Sequence, residues 1–239
     1  MQFPLIKINE FFKSTKAKEG ITSLWGDFGV GKTTLSLQIA KKYALNRKKV
    51  LYIYTKPNLP LKIIETVFEN NLEDVLENNL FIHATNLDDL FGFIFNLEFG
   101  VLNDLKTKNG TYNLIIIDSM TDLYRLELNS EKKGKNFILN YKLNQMLANL
   151  VSLKQKYEID ILIINETSRR ALEGQTYEVE SGGNVMQYWV SNSIKIERTD
   201  IANNRKFILH RGNDNISFLL NTMLTKHGFE QKNIKDYQL

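Results

Sequence analysis

Short apolar runs punctuate the chain and predict five strands. They are Ile21-Thr22-Ser23-Leu24-Trp25, Val50-Leu51-Tyr52-Ile53-Tyr54, Leu80-Phe81-Ile82, Leu114-Ile115-Ile116-Ile117 and Ile161-Leu162-Ile163-Ile164. Strands of a parallel sheet covered on both faces carry such near-continuous apolar stretches, because neither side chain row meets water. Between them the apolar period lengthens to that of a helix. Leu35, Ile39 and Tyr43, widened by Leu37 and Ala40, predict a helix to about Asn46. After Pro57 and Pro60 break the chain, helices are expected over about 61–70 and 72–77. Leu90, Ile94, Leu97, Val101 and Leu105 mark another over 88–105, and a further one is expected over 137–157. Residues 130–136 read as a polar, lysine-bearing loop. From Ser191 the period becomes two: Ile194/Ile196, Phe207/Leu209 and Phe218/Leu220 alternate, separated by Asn203-Asn204 and Gly212-Asn213-Asp214-Asn215. Those are hairpin-connected strands. Ahead of the first strand, residues 1–20 form a short lead-in whose Ile8, Phe11 and Phe12 are expected to pack as a helix over the sheet edge. Residues 230–239 read as a polar, disordered tail. The pattern predicts one α/β domain over 21–229, with a mostly parallel central sheet, helices on both faces and an antiparallel C-terminal extension.

The junction between the first strand and its helix carries the chemistry. Gly26-Asp27-Phe28-Gly29-Val30-Gly31-Lys32-Thr33-Thr34 is G-x-x-x-x-G-K-[ST], a phosphate-binding loop, in the strand-loop-helix context that such a loop requires. The glycines let backbone N–H groups converge on an anion, and the following helix end adds its partial positive charge. Lys32 would reach the β- and γ-phosphates, and the Thr33 hydroxyl would ligate Mg²⁺. Asp118 ends an apolar strand, where the carboxyl edge of a parallel sheet places ligand groups. It reads as the acid that holds the Mg²⁺ shell opposite Thr33, or else as an acidic helix cap before Ser119.

Composition narrows the setting. The 239 residues, 43% apolar, can fill one large core and lack any run long enough to span a membrane. No secretory pattern opens the chain, so a cytoplasmic protein with no membrane association is expected. With no cysteine and three histidines, disulfides and a thiolate or zinc site are not expected. A net charge of +4 leans weakly toward polyanionic partners.

The phosphate loop, the strand Leu114–Asp118 running into Ser119…Tyr124-Arg125, the strand ending Ile163-Ile164-Asn165-Glu166, Ser181-Gly182-Gly183-Asn184 with Trp189, and the stretches Ile194–Arg198 and Arg205–Arg211 together resemble the RecA superfamily. Within it, the chain is most similar to the archaeal recombination paralogues of the RadA-like family, from about Lys7 to Gly228. The resemblance implies a RecA-like P-loop fold, ATP and Mg²⁺ as cofactors, and a role assisting homologous recombination and DNA repair. It also implies a start almost directly at the ATPase core, without an N-terminal helical DNA-binding domain or polymerisation linker. Two departures stand out. Family recombinases carry Thr-Glu after the second strand, the glutamate polarising the attacking water; here the pair is Thr55-Lys56. They carry Asn-Gln after the later strand, the glutamine sensing the γ-phosphate; here it is Asn165-Glu166. A charged lysine cannot orient water as a carboxylate does, so hydrolysis is expected to be weak. Both strand ends should face the γ-phosphate, which leaves three readings: Lys56 and Glu166 form an ion pair, Glu166 replaces the missing base, or Lys56 is simply solvated.

The resemblance places two DNA-contacting loops at about Arg125 to Asn136 and Ser168 to Ser181. The first offers Arg125, Lys132, Lys133 and Lys135; the second offers Arg169 and Arg170. Such residues would neutralise phosphates of single- or double-stranded DNA without reading sequence. Glu127, Glu131, Glu173, Glu178 and Glu180 dilute that charge, and each cluster reads equally as an ordinary solvated surface. Tyr177 could stack on a base or pack under its own loop. His210-Arg211 read either as a cation pair capping a neighbouring subunit's nucleotide or as a basic strand end. The implied partners are DNA and a RadA-type recombinase or related paralogue, with homo- or hetero-oligomers both open. Two alternatives stay in view: a KaiC-like or archaellum-type RecA-fold regulator that touches no DNA, and a pseudo-ATPase scaffold.

Overall fold

Successive residues of each central strand face opposite layers, and the core divides accordingly. In the computed structural model, which describes residues 1–13, 20–107, 110–128, 131–172, 174–212 and 214–231, the strands β1 (Ile21–Gly26), β2 (Val50–Tyr54), β3 (Asn79–His83), β4 (Leu114–Asp118) and β5 (Asp160–Leu172) form the parallel heart of a sheet. Val50, Tyr52, Leu114, Ile116, Leu162 and Ile164 point into one apolar cluster; Leu51, Ile53, Ile115, Ile117, Ile161 and Ile163 point into the other. The first cluster is closed by α1 (Ile6–Lys13), α2 (Lys32–Leu45), α3 (Leu61–Phe68) and α4 (Leu72–Glu77). The second is closed by α5 (Leu87–Lys106), α6 (Asp122–Glu127), α7 (Lys133–Tyr157) and α8 (Gly183–Trp189). Helices on both faces are what the continuous apolar runs required.

β7 (Val190–Arg198) adds parallel to β1, and β8 (Asn204–Arg211), β9 (Asp214–Thr225) and β10 (Gly228–Gln231) follow antiparallel. The order is β10-β9-β8-β7-β1-β5-β4-β2-β3, and β6 (Gln175–Glu180) lies off this path, paired with β5. The extension is covered on one face: Ile194, Ile196, Phe207, Leu209, Leu220 and Phe229 join the α2 cluster, which is why their strands alternate. Ile8 is fully buried and Phe11 and Phe12 pack beside it, as the lead-in predicted.

Several expectations need correction. The segment 168–181 is an antiparallel hairpin, not a loop: Arg169 pairs with Glu178 and Arg170 with Tyr177, the chain reversing near Gly174. Each of its pairs has at least one polar member and its β6 residues are largely exposed, so no apolar alternation announces it. In the predicted loop 130–136, residues 133–136 are helical, because α7 starts at Lys133 and its apolar stripe begins only at Leu139; Ser130 lies outside the described residues. Arg125 lies on α6 and not in a loop. Glu230 and Gln231 belong to β10, paired with Met223 and Thr222; residues 232–239 of the expected tail, and Glu173, lie outside the described residues. Among the described residues, no helix is long and apolar enough to cross a membrane.

Candidate nucleotide site

Strand register delivers the site. Gly26 lies opposite Glu166 across β1 and β5, Tyr54 opposite Asp118 across β2 and β4, and Asp118 opposite Ile164 across β4 and β5. The carboxyl ends of β1, β2 and β4 therefore finish beside the point where β5 leaves the parallel sheet to pair with β6, and Gly26, Lys56, Asp118 and Glu166 converge on the N-terminus of α2. Gly26 has φ 147, and a Cβ there would stand 2.3 Å from the Ile196 carbonyl oxygen, so only glycine fits against β7. Gly29 and Gly31 have φ of 77 and 105, the left-handed turns that fold the loop over and start α2. Val30 is buried in the core, whereas Asp27 and Phe28 are exposed, Phe28 at 83%. Arg198 from β7 donates Nη2 to the Phe28 carbonyl at 2.9 Å, and Arg205 from β8 donates Nε to the Val30 carbonyl at 3.2 Å, bracing the loop from behind.

The charged groups form one network. Lys32 is 4% exposed; its Nζ donates to the carbonyls of Gly26 and Asp27, each at 2.8 Å, and to Glu166 Oε2 at 2.7 Å. Thr33 Oγ1 donates to Asp118 Oδ2 at 2.6 Å, and the Tyr52 hydroxyl, itself within 2.7 Å of Ser36 Oγ, donates to the same oxygen at 3.2 Å. Lys56 Nζ lies 3.3 Å from Asp118 Oδ1 and 3.6 Å from Glu166 Oε1. Burial pulls the Lys32 ammonium below the usual lysine range, with Glu166 opposing. At Lys56 burial pulls the same way, but Asp118 and then Glu166 outweigh it and the ammonium is held above that range. Burial and the adjacent Asp118 push the Tyr52 phenol well up, so it stays a donor. The ion pair of Lys56 with Glu166 is formed, and Lys56 is not simply solvated.

The Thr33 hydroxyl and Asp118 carboxylate offer the hard oxygen donors that Mg²⁺ takes. Asp118 Oδ1 is buried and makes no well-formed hydrogen bond; the cation beside it is the Lys56 ammonium at 3.3 Å, so Mg²⁺ would share this carboxylate with Lys56. Beside it opens a cavity of about 330 Å³ walled by Gly29, Gly31, Lys32, Thr33 and Thr34 on one side and by Tyr54, Lys56, Ile63 and Glu166 on the other. Its glycine wall, ammonium and hydroxyl suit a polyphosphate.

The family model described as Rad51 matches residues 7–202. The chain belongs to the Rad51 family. Among its relatives is the DNA repair and recombination protein RadB of Methanocaldococcus jannaschii, 30% identical over 215 residues, which cover 88% of this chain and 94% of the relative. Proteins of the same name from Methanococcus maripaludis and Methanosphaera stadtmanae are 28% and 27% identical, over 85% and 80% of this chain and 88% and 78% of their own lengths.

Within this Rad51-family fold the basic residues expected at DNA divide among three elements. Arg125, exposed on α6, faces a hollow of about 450 Å³ shared with Ser168, Ser181, Gly182, Gly183 and Asn184. Arg170 on β5 donates to Asn184 Oδ1 at 3.4 Å, and Arg169 is exposed one residue before it. Lys132 precedes α7 and is exposed, Lys133 opens the helix, and Lys135 pairs with Glu127 at 3.4 Å. Tyr177 is 49% exposed, its hydroxyl donating to Gln175 Oε1. Arg211 is not available to a neighbouring subunit: it is buried, donates to the Phe11 carbonyl at 3.2 Å and lies over the Phe11 ring. His210 is exposed. Sequence reasoning missed Arg198 and Arg205 as loop braces, Tyr52 and Ser36 behind Asp118, and Glu180. Glu180 accepts from Asn165 Nδ2 at 2.6 Å and from Ser23 Oγ at 3.0 Å, while Thr121 Oγ1 donates to Asn165 Oδ1 at 3.0 Å.

Proposed function

We propose that the chain binds ATP with Mg²⁺ in the Gly26–Thr34 loop and assists DNA repair and homologous recombination, with ATP serving mainly as a conformational or assembly ligand. The convergence of the glycine loop, Lys32, and the Thr33–Asp118 pair on one cavity carries the nucleotide reading. Loop N–H groups would take the phosphate oxygens. Lys32 would leave Glu166 for the β- and γ-phosphates, and Thr33 with Asp118 would hold Mg²⁺, which supplies charge neutralisation when bound. The role in repair rests on the names of the Rad51-family relatives.

Slow turnover follows from the charges at the γ-phosphate end. Positioning the attacking water is a large part of phosphoryl transfer. Here the position after Thr55 carries an ammonium, and both oxygens of Glu166 are engaged by ammonium groups, Oε2 at 2.7 Å and Oε1 at 3.6 Å. Glu166 acts as a counter-ion in this reading. The experiment is ATP binding by calorimetry together with single-turnover hydrolysis, with and without single-stranded DNA. Wild type should bind, and Lys32→Ala should lose about a hundredfold or more in affinity. Turnover should fall near the unassisted rates of nucleotide hydrolases, ~10⁻³ s⁻¹ or below. No binding by wild type would overturn the nucleotide reading; turnover above ~1 s⁻¹ would overturn the slow-hydrolysis reading.

A further inference from the structure

Lys56 has a fixed root and a tip placed at the cavity beside the glycine loop. Its neighbour Thr55 is buried and locked to β4: Thr55 N donates to the Asp118 carbonyl at 2.8 Å, Thr55 Oγ1 to the Ser119 carbonyl at 3.0 Å, and Ser119 N to Thr55 Oγ1 at 2.7 Å. The Lys56 carbonyl is engaged by His83 Nε2 at 2.9 Å. From that anchor the side chain, 22% exposed, brings its ammonium between Asp118 Oδ1 and Glu166 Oε1 at 3.3 and 3.6 Å. An ammonium has three N–H donors, and both carboxylates lie at distances longer than a tight charge-assisted bond. Lys56 also walls the cavity that the glycine loop and Lys32 line. It thus has a donor to spare, facing the place where a polyphosphate would end.

The charges in direct contact point the same way. Among those four groups Lys32 and Lys56 balance Asp118 and Glu166, and Asp122 adds a further carboxylate whose field reaches Lys56. A carboxylate in place of Lys56 would leave the four with a net charge of −2, and an incoming polyphosphate would then depend on a divalent cation. Asp118 is the link between the two cationic options: Oδ2 takes the Thr33 hydroxyl at 2.6 Å, and Oδ1 faces the Lys56 ammonium. In a largely desolvated pocket an ammonium–phosphate contact is far stronger than in water.

We propose that Lys56 is a built-in counter-cation for the terminal phosphate of bound nucleotide, carrying enough of the neutralisation usually left to Mg²⁺ that the site holds ATP with little dependence on divalent metal. This rests on the nucleotide reading above. The test is calorimetric titration of the full chain with ATP, in excess Mg²⁺ and in EDTA, for wild type, Lys56→Met and Lys56→Arg. Replacing Mg²⁺ by EDTA should weaken wild-type binding less than tenfold. In EDTA, Lys56→Met should bind at least tenfold more weakly than wild type, while Lys56→Arg keeps most of the metal-independent affinity. Thermal unfolding of each variant without nucleotide checks the fold, and Lys56→Gln replaces the methionine variant if that one does not fold. A tenfold or greater loss for wild type in EDTA overturns the proposal, as does a Lys56→Met protein that binds like wild type there. Failure of wild type to bind ATP even with Mg²⁺ overturns the nucleotide reading itself; binding with Mg²⁺ that vanishes in EDTA overturns only the role of Lys56.

Discussion

Two lysines share the carboxylate of Glu166, and under the proposed nucleotide binding only one of them would let go. Lys32 is held by Glu166 at 2.7 Å and by two loop carbonyls, with side-chain exposures of 4% and 16% for the pair. Removing one partner of a buried pair costs about 3–5 kcal/mol where the other is left alone. Here Lys32 would keep its two carbonyls, so Glu166→Gln should lower the stability of the nucleotide-free protein by about 2 kcal/mol. The same substitution removes an anion from the phosphate cavity and frees Lys32, so ATP affinity should rise. Single-turnover hydrolysis should stay within about threefold of wild type, as expected of a counter-ion. Stopped chemical quench reads the rate and denaturant unfolding the stability. A tenfold or greater fall in rate would instead make Glu166 the base that Lys56 cannot be.

The β5–β6 hairpin grows directly out of a core strand, so its polar end is tied to the site. Glu180, at the end of β6, is buried deeply enough that its carboxyl is pushed up from 4.5 to about 7, against the opposing hydrogen bonds from Asn165 and Ser23. The folded state therefore keeps a proton that the unfolded chain loses near 4.5. Stability from this group is fully present below that value and is lost as pH rises through about 7. Glu180 retains some solvent contact, which limits the effect to on the order of 1–2 kcal/mol. Melting temperatures compared at pH 5 and pH 8 should fall for wild type and fall less for Glu180→Gln; equal falls would remove Glu180 from the account. Little of this hairpin is legible from the sequence, because Arg169 opposite Glu178 and Arg170 opposite Tyr177 give no apolar alternation. α6 and α8 have 6 and 7 residues, too few for a helical period to show. The doubly covered strands were legible because burial on both faces leaves only apolar residues. That Gly26, Lys56, Asp118 and Glu166 would meet was legible because neighbouring parallel strands end on the same edge; which of the three readings of Lys56 applies was not. Arg198 and Arg205 were not, since they reach the loop from 170 and 175 residues away along the chain.

The hollows along the carboxyl edge of the sheet share wall residues. The cavity of about 330 Å³ at the loop shares Phe28, Lys56 and Glu166 with one of about 660 Å³, which in turn shares Arg125 with the hollow beside Gly182-Gly183. Arg125 thus stands between the proposed nucleotide site and the hairpin, the place where a proposed DNA strand would be sensed. The net charge of +4 is modest, and much of the local charge is already paired: Lys135 with Glu127, and Lys195 with Glu178 and Glu197. Binding to DNA should therefore be weak, salt-sensitive and dominated by Arg125, Arg169 and Arg170. Each phosphate neutralised on a single strand contributes about −0.7 to the slope of log affinity against log salt. The triple alanine variant of these arginines should flatten that slope by about 2 and cost affinity at low salt, whereas Lys135→Ala should change little. Fluorescence anisotropy of a labelled single-stranded oligonucleotide, titrated at several salt concentrations, measures both. A triple variant with wild-type affinity and slope would move the DNA surface off this edge, and with it the idea that Arg125 links the two sites.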